Sequence, residues 1–209
     1  MSSTRIIALA QANAVAGDIA SNVAHHLELV TLALQHGAQL IVFPELSLTG
    51  YEPELAAPLA FQGGQPALSS LQRASDESGA TILAGAPTGP SGDETKPRIS
   101  VLALTPGSVA PTCYSKQYLH ADEQPFFNPG PIAPNILGLG NDKSSSAGPS
   151  LRVGLAICFE LGVPAHAAAA FDAGAEVYIA SVAKNADGMA LAEATLAGEL
   201  RPLPTSLVH

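Results

Sequence analysis

Residues 39–53 read QLIVFPELSLTGYEP, and the run Leu40-Ile41-Val42-Phe43 inside them sets the architecture. Four consecutive apolar residues, branched or aromatic and closed by Pro44, are too few for a helix and suit a strand buried on both faces. Just upstream, Val23, Leu27, Val30 and Leu34 recur at three- and four-residue intervals. Ser21 reads as the N-cap of this amphipathic helix and Gly37 as its stop. Before the helix, Arg5 to Ala12 has the short, apolar, branched character of a first strand. Strand, helix and fully apolar strand in succession indicate an α/β fold.

The downstream sequence extends this pattern and then alters it. A second helix is predicted over Ala67 to Ser78, stopped by Gly79, with a strand over Thr81 to Ala86. From Arg98 two strand-like runs, Ile99 to Leu104 and Val109 to Tyr114, stand close together around Pro106-Gly107. This is a hairpin signal, so the sheet is not purely parallel. Leu151 to Ile157 reads as another buried strand, Val163 to Ala173 as an alanine-rich helix, and Val177 to Val182 as a further strand. Asn141 to Ser150, NDKSSSAGPS, has the composition of a flexible surface loop. Gly188 to Leu200 has helical composition, and the prolines of Arg201-Pro202-Leu203-Pro204 forbid its continuation. With no internal repeat or linker, one layered domain over residues 1–209 is expected.

Composition narrows the function. Among the 209 residues, 13% are charged, about half the usual fraction of roughly 25%. Nine basic against eighteen acidic residues leave a net charge of -9, which argues against nucleic acid held by counterion release and against an anionic membrane surface. The longest apolar stretch, Gly162 to Ala183, is interrupted by His166, Asp172 and Glu176 and falls short of a membrane span. Gln11 and Asn13 likewise cut the apolar start of the chain too short for a signal peptide. The two cysteines, Cys113 and Cys158, are far apart and form no cluster, so a reducing, cytoplasmic compartment is expected. His25 and His26 lack a third ligand at useful spacing, His120, His166 and His209 are isolated, and no glycine-rich phosphate motif occurs. Neither a metal nor a cofactor is expected.

Three reactive residues follow predicted strands directly or nearly so: Glu45 after LIVFP, Lys116 after Thr112-Cys113-Tyr114-Ser115, and Cys158 after VGLAI. Strand ends are where functional groups converge in open α/β sheets. Singly, they read as a solvated or capping glutamate, a solvated lysine and a small buried cysteine. Together they supply what acyl transfer needs. A thiol becomes a strong nucleophile once a neighbour takes its proton, and Glu45 is suited to take it. Lys116 and the backbone N–H of Phe159 would stabilise the oxyanion. Glu45 would then protonate the leaving amine and activate the water that cleaves the thioester. Cys113, within a strand, reads as packing only. Phe126 and Phe127 either line a pocket or anchor their loop.

FPELSLTGYEP at 43–53, YSKQYLHADEQPFFNPG at 114–130 and VGLAICFE at 153–160 resemble, in order, the three signature regions of the nitrilase-type carbon-nitrogen hydrolases. The resemblance extends from Arg5 to about Leu200. It implies a four-layer αββα sandwich that dimerises, and hydrolysis of a non-peptide carbon-nitrogen bond in a small amide, carbamoyl compound or nitrile through a cysteine thioester. By motif position it implies Glu45 as general base and acid, Lys116 as oxyanion stabiliser and Cys158 as nucleophile. Glu123 matches a further glutamate that sits near the lysine and helps to position substrate; its other reading is an exposed loop charge. Glu160 fits a frequent acidic position beyond the nucleophile and reads as structural.

The pattern departs from the family after EVYIASVAKN and the helix expected to follow it, where relatives continue with further strands and LRPLPTSLVH at 200–209 does not resemble them. The expectation is therefore a sandwich incomplete at its C-terminal side, with open strand edges. Two functions are compatible with it: an active amidase-type hydrolase, or a catalytically silent chain acting through interactions.

Overall fold

The computed structural model describes residues 4–62, 66–90, 92, 94–140 and 151–183. The readings made for 141–150, 188–200 and 201–209 lie outside these residues. Strand β1 (Ile7–Leu9) leads into helix α1 (Ile19–Gln35), then β2 (Leu40–Val42), helix α2 (Ser69–Ser78) and β3 (Thr81–Thr88). Next come β4 (Arg98–Leu104), β5 (Thr112–Ser115), β6 (Ile136–Leu139), β7 (Leu151–Ile157), helix α3 (Pro164–Asp172) and β8 (Val177–Ser181).

The strands form two sheets. In the first, ordered β1-β2-β3-β4-β5, β1, β2 and β3 run parallel while β4 and β5 return antiparallel. In the second, β7 pairs antiparallel with β6 and parallel with β8. The mixed sheet expected from the hairpin signal is present. Its second arm is shorter than read, because Val109 is fully exposed and pairing begins only at Thr112. Likewise β1 occupies only the centre of Arg5 to Ala12.

Alternation along each strand sorts side chains between layers. Leu40, Val42, Leu83, Ile99 and Val101 point from the first sheet into a core shared with Leu137, Val153, Leu155, Ile157 and Ile179 of the second. Their neighbours Ile41, Phe43, Ile82, Ala84 and Leu102 face the opposite way, into a core with Val23 and Val30 of α1 and Leu71 of α2. Beyond the second sheet, Ala156 and Tyr178 pack on Ala170 of α3. The order of layers is helix, sheet, sheet, helix. At the site end, Ser181 Oγ donates across the sandwich to the Phe43 carbonyl at 2.7 Å.

Helix α1 starts earlier than the sequence suggests. Asp18 is its N-cap: its carboxylate accepts from the Ser21 backbone N–H at 3.0 Å and from the Ser21 hydroxyl at 2.7 Å. A carboxylate three residues upstream caps better than the hydroxyl that reads as the cap in isolation, because it also meets the positive end of the helix dipole. Helix α2 ends as expected on Gly79, which takes the left-handed conformation at φ 76°. No helix among the described residues is long and apolar enough to cross a membrane.

Candidate active site

The sequence after β2 turns back sharply. Leu46 adopts φ 52°, a left-handed value costly for a branched side chain, and the N–H groups of Ser47 and Gly50 bond back to the carbonyls of Pro44 and Leu46. The turn lies directly on β3 at Gly85. A Cβ there would collide with Leu46 N and Pro44 O and stand 2.9 Å from the Glu45 carbonyl carbon. Only glycine admits this approach, and through it Glu45 is held inward, 2% exposed.

Lys116 follows β5 and is completely buried. Its backbone N–H donates to Ile99 O at 2.8 Å, and its carbonyl accepts from Gly130 N at 2.6 Å. The Pro129-Gly130 turn presses so closely on β5 that a Cβ on Gly130 would overlap Ser115 O. The ammonium donates to Glu45 Oε1 at 2.7 Å and to Glu123 Oε1 at 2.6 Å. Glu123 is buried as well, so it is not a solvated loop charge. It ends a short 3-10 turn, Ala121–Glu123, and its Oε2 accepts from the His120 N–H at 2.8 Å while Oε1 also accepts from the Tyr51 hydroxyl at 2.8 Å.

Cys158 opens a 3-10 turn, Cys158–Gly162, directly after β7. It too is left-handed, at φ 46°, and only 9% exposed. Such strain in a non-glycine residue persists only where the surrounding structure enforces it. Phe159 follows, an exposed residue whose ring stands edge-on to His120 with centroids 5.5 Å apart.

The electrostatics follow from one buried ammonium between two buried carboxylates. Burial pushes the pKa of Glu45 above the ordinary carboxylate value, and the repulsion of Glu123 adds to this. Lys116 and, more weakly, the Cys158 thiol oppose it. Burial disfavours the charge on Lys116, but Glu45 and Glu123 outweigh it and raise the lysine pKa. Tyr51 is raised by burial, by its bond to Glu123 and by the nearby charges of Glu45 and Cys158, so its hydroxyl remains a donor. Among the described residues, the buried Oε2 of Glu45 has no hydrogen-bond partner. The arrangement therefore combines a poised carboxylate, a fixed cation and a strained thiol, the set required for nucleophilic attack with proton transfer.

Sequence reading located Glu45, Lys116, Glu123, Cys158 and Phe159, and all five lie at this end of the sandwich. It assigned no role to Tyr51, Gly85 or Gly130. The lone glycine inside the apolar run TILAGAPT was a signal for a close backbone approach. Phe127 is buried in the inter-sheet core and Phe126 packs at its edge, so the pair anchors its loop. Cys113, read as packing, is exposed: it pairs opposite Leu102 on the sheet face turned away from the inter-sheet core.

Comparisons with known proteins bear on the family and the fold. The family described as carbon-nitrogen hydrolase matches residues 6–201. A glutamine-dependent NAD(+) synthetase from Thermotoga maritima is 27% identical over 179 residues, which is 83% of this chain and 28% of that protein. The chain thus spans little more than a quarter of this curated relative. Among solved structures, a variant of the Nesterenkonia AN1 amidase from the nitrilase superfamily superposes with a TM-score of 0.76 at 24% identity, covering 96% of this chain and 73% of the other. A second variant of that amidase, bearing the acetamide moiety of fluoroacetamide on its active-site cysteine, gives 0.78 at 23% identity over 96% and 73% of the two chains.

Proposed function

Because the chain belongs to the carbon-nitrogen hydrolase family, we propose that it hydrolyses the carbon-nitrogen bond of a small carboxamide or carbamoyl compound through a thioester on Cys158, releasing ammonia or an amine. The observation that carries this reading is the buried Glu45 carboxylate, anchored through Oε1 on Lys116 at 2.7 Å and interacting with the Cys158 thiol.

The steps follow from these groups. Glu45 takes the thiol proton, and Cys158 Sγ forms a bond to the substrate carbonyl carbon. The oxyanion that develops is met by the Lys116 ammonium and the Phe159 N–H. Glu45 returns the proton to the substrate nitrogen, the carbon-nitrogen bond breaks and the amine departs. Water then gives a proton to Glu45 as its oxygen attacks the thioester carbon. The carbon-sulfur bond breaks, the thiolate recovers the proton and the acid leaves. Glu123 holds Lys116 from the other side and is itself held by the Tyr51 hydroxyl.

The glutamine dependence named for the Thermotoga relative brings the side-chain carboxamide of glutamine into the substrate panel, beside aliphatic amides, carbamoyl compounds and nitriles. An ammonia-release screen tests the reading: turnover on at least one amide, abolished in Cys158→Ala, is the expected result. Fluoroacetamide should place an acetamide group on Cys158, read by intact mass and peptide mapping, faster than on the more exposed Cys113. Failure to turn over any compound, together with labelling of the two cysteines at equal rates, would favour the silent interaction chain instead. A homodimer is part of the proposal and is checked by sedimentation velocity.

A further inference from the structure

Glu160 lies beneath the nucleophile, fully buried, and takes part in no proton transfer of the proposed reaction. Its carboxylate nevertheless collects four donors from two separate parts of the site. Oε1 accepts from the backbone N–H of Gln117 at 2.6 Å and of Tyr118 at 3.3 Å, the two residues after Lys116. Oε2 accepts from the N–H of Ile157 at 2.8 Å, the residue before Cys158, and from the Tyr114 hydroxyl at 2.7 Å. One side chain thereby ties the strained nucleophile turn to the loop that carries the lysine.

The network continues away from the site with a fixed direction. Since the Tyr114 hydroxyl gives its proton to Glu160, its contact with His166 Nε2 at 2.7 Å requires the imidazole to donate. Nδ1 of the neutral ring is then the acceptor and receives the Tyr178 hydroxyl at 2.7 Å. Burial holds the His166 pKa below its ordinary value despite the nearby Glu160 charge, and burial with the same charge raises both tyrosines, so the neutral forms persist. The chain runs from Tyr178 of β8 through His166 of α3 and Tyr114 of β5 to the carboxylate, each donor aimed the same way. Hydrogen bonds aligned like this polarise one another and strengthen the last.

We propose that Glu160 is a positioning residue which, fed by Tyr178, His166 and Tyr114, sets the register between the Cys158 thiol and the Lys116 ammonium. The proposal rests on the reading of Cys158 as nucleophile, and its consequence is kinetic: small misplacement of reacting groups costs rate more than ground-state binding.

The test uses the full chain carrying Cys113→Ser, so that alkylation reports Cys158 alone. Glu160→Gln keeps the shape but turns an amide N–H₂ toward one pair of donors. It should lower kcat and the rate of Cys158 alkylation about a hundredfold, with KM within threefold. Tyr114→Phe removes one charge-assisted bond and should lower both rates about tenfold, and Tyr178→Phe less. Glu160→Asp, which keeps the carboxylate, should recover part of the rate lost in Glu160→Gln even if it melts no higher. The proposal is overturned if folded Glu160→Gln keeps both rates within twofold of the parent, or if activity falls only in step with the folded fraction. Should Glu160→Gln fail to fold, Tyr114→Phe decides by the same criterion. Alkylation needs no amide substrate, so a parent chain inactive on every amide would count against the proposed hydrolysis while the alkylation ratios still judge Glu160.

Discussion

Burial disfavours the charge on the Glu45 carboxylate and raises its affinity for a proton, against the pull of the Lys116 ammonium. That is the property a base for a thiol needs. Glu45→Gln keeps the side-chain volume and should lower kcat by about 10²–10⁴-fold, with slow alkylation of Cys158 at neutral pH as an independent check. In the proposed reaction the free chain works only with Glu45 ionised, so kcat/KM should rise with pH through its ionisation. Because burial raises this pKa, the acid limb should centre above the ordinary value of 4.5. A limb at or below it would remove Glu45 as the base. Lys116→Met leaves two buried carboxylates without their cation and should destabilise the chain by about 3–5 kcal/mol, measurable by urea unfolding.

The turns that place these side chains depend on neighbouring elements. Gly85→Ala inserts a methyl group where the Glu45 turn lies on β3. The turn must retreat, so kcat should fall on the order of a hundredfold while stability falls by about 1–3 kcal/mol. Gly130→Ala should act similarly through Lys116. Legibility in the sequence follows the same division. The apolar strands and the residues just beyond them were readable because both depend on local pattern, and Glu45, Lys116 and Cys158 each follow a strand. Asp18 was missed because a cap depends on which acceptor lies nearest the first helical N–H groups. Strand β6 was missed because Ile136 to Leu139, with a glycine inside it, is too short and mixed to stand out from a loop until β7 pairs with it. Tyr51 and the Glu160 network were not legible at all, since their partners come from distant parts of the chain.

At the scale of the whole molecule, helix α1 is bound to the site end by a buried imidazole. His26 donates through Nδ1 to Asn22 O at 2.7 Å and accepts at Nε2 from the Ser47 hydroxyl at 2.9 Å, and its ring stacks on Phe43. Ser47 Oγ in turn accepts from Gly85 N at 3.2 Å. Burial lowers the His26 pKa from 6.5 to about 4. The folded chain thus binds fewer protons here than the unfolded chain between these values, so this stability is complete above pH 6.5 and is lost as pH falls toward 4. The loss amounts to about 3 kcal/mol at most, and His26→Gln should flatten it in urea titrations across that range. The bond between Ser181 and Phe43 bears on how the protein is made. It joins residues 138 positions apart, and much of the cover for the inner face of β2 and β3 comes from strands from Ile136 onward. During synthesis the first sheet emerges before the second-sheet residues that cover Leu40, Val42 and Leu83. The growing chain therefore passes through a long interval in which an apolar surface is formed but not yet met, the stage at which nascent proteins are most exposed to aggregation and most dependent on chaperones.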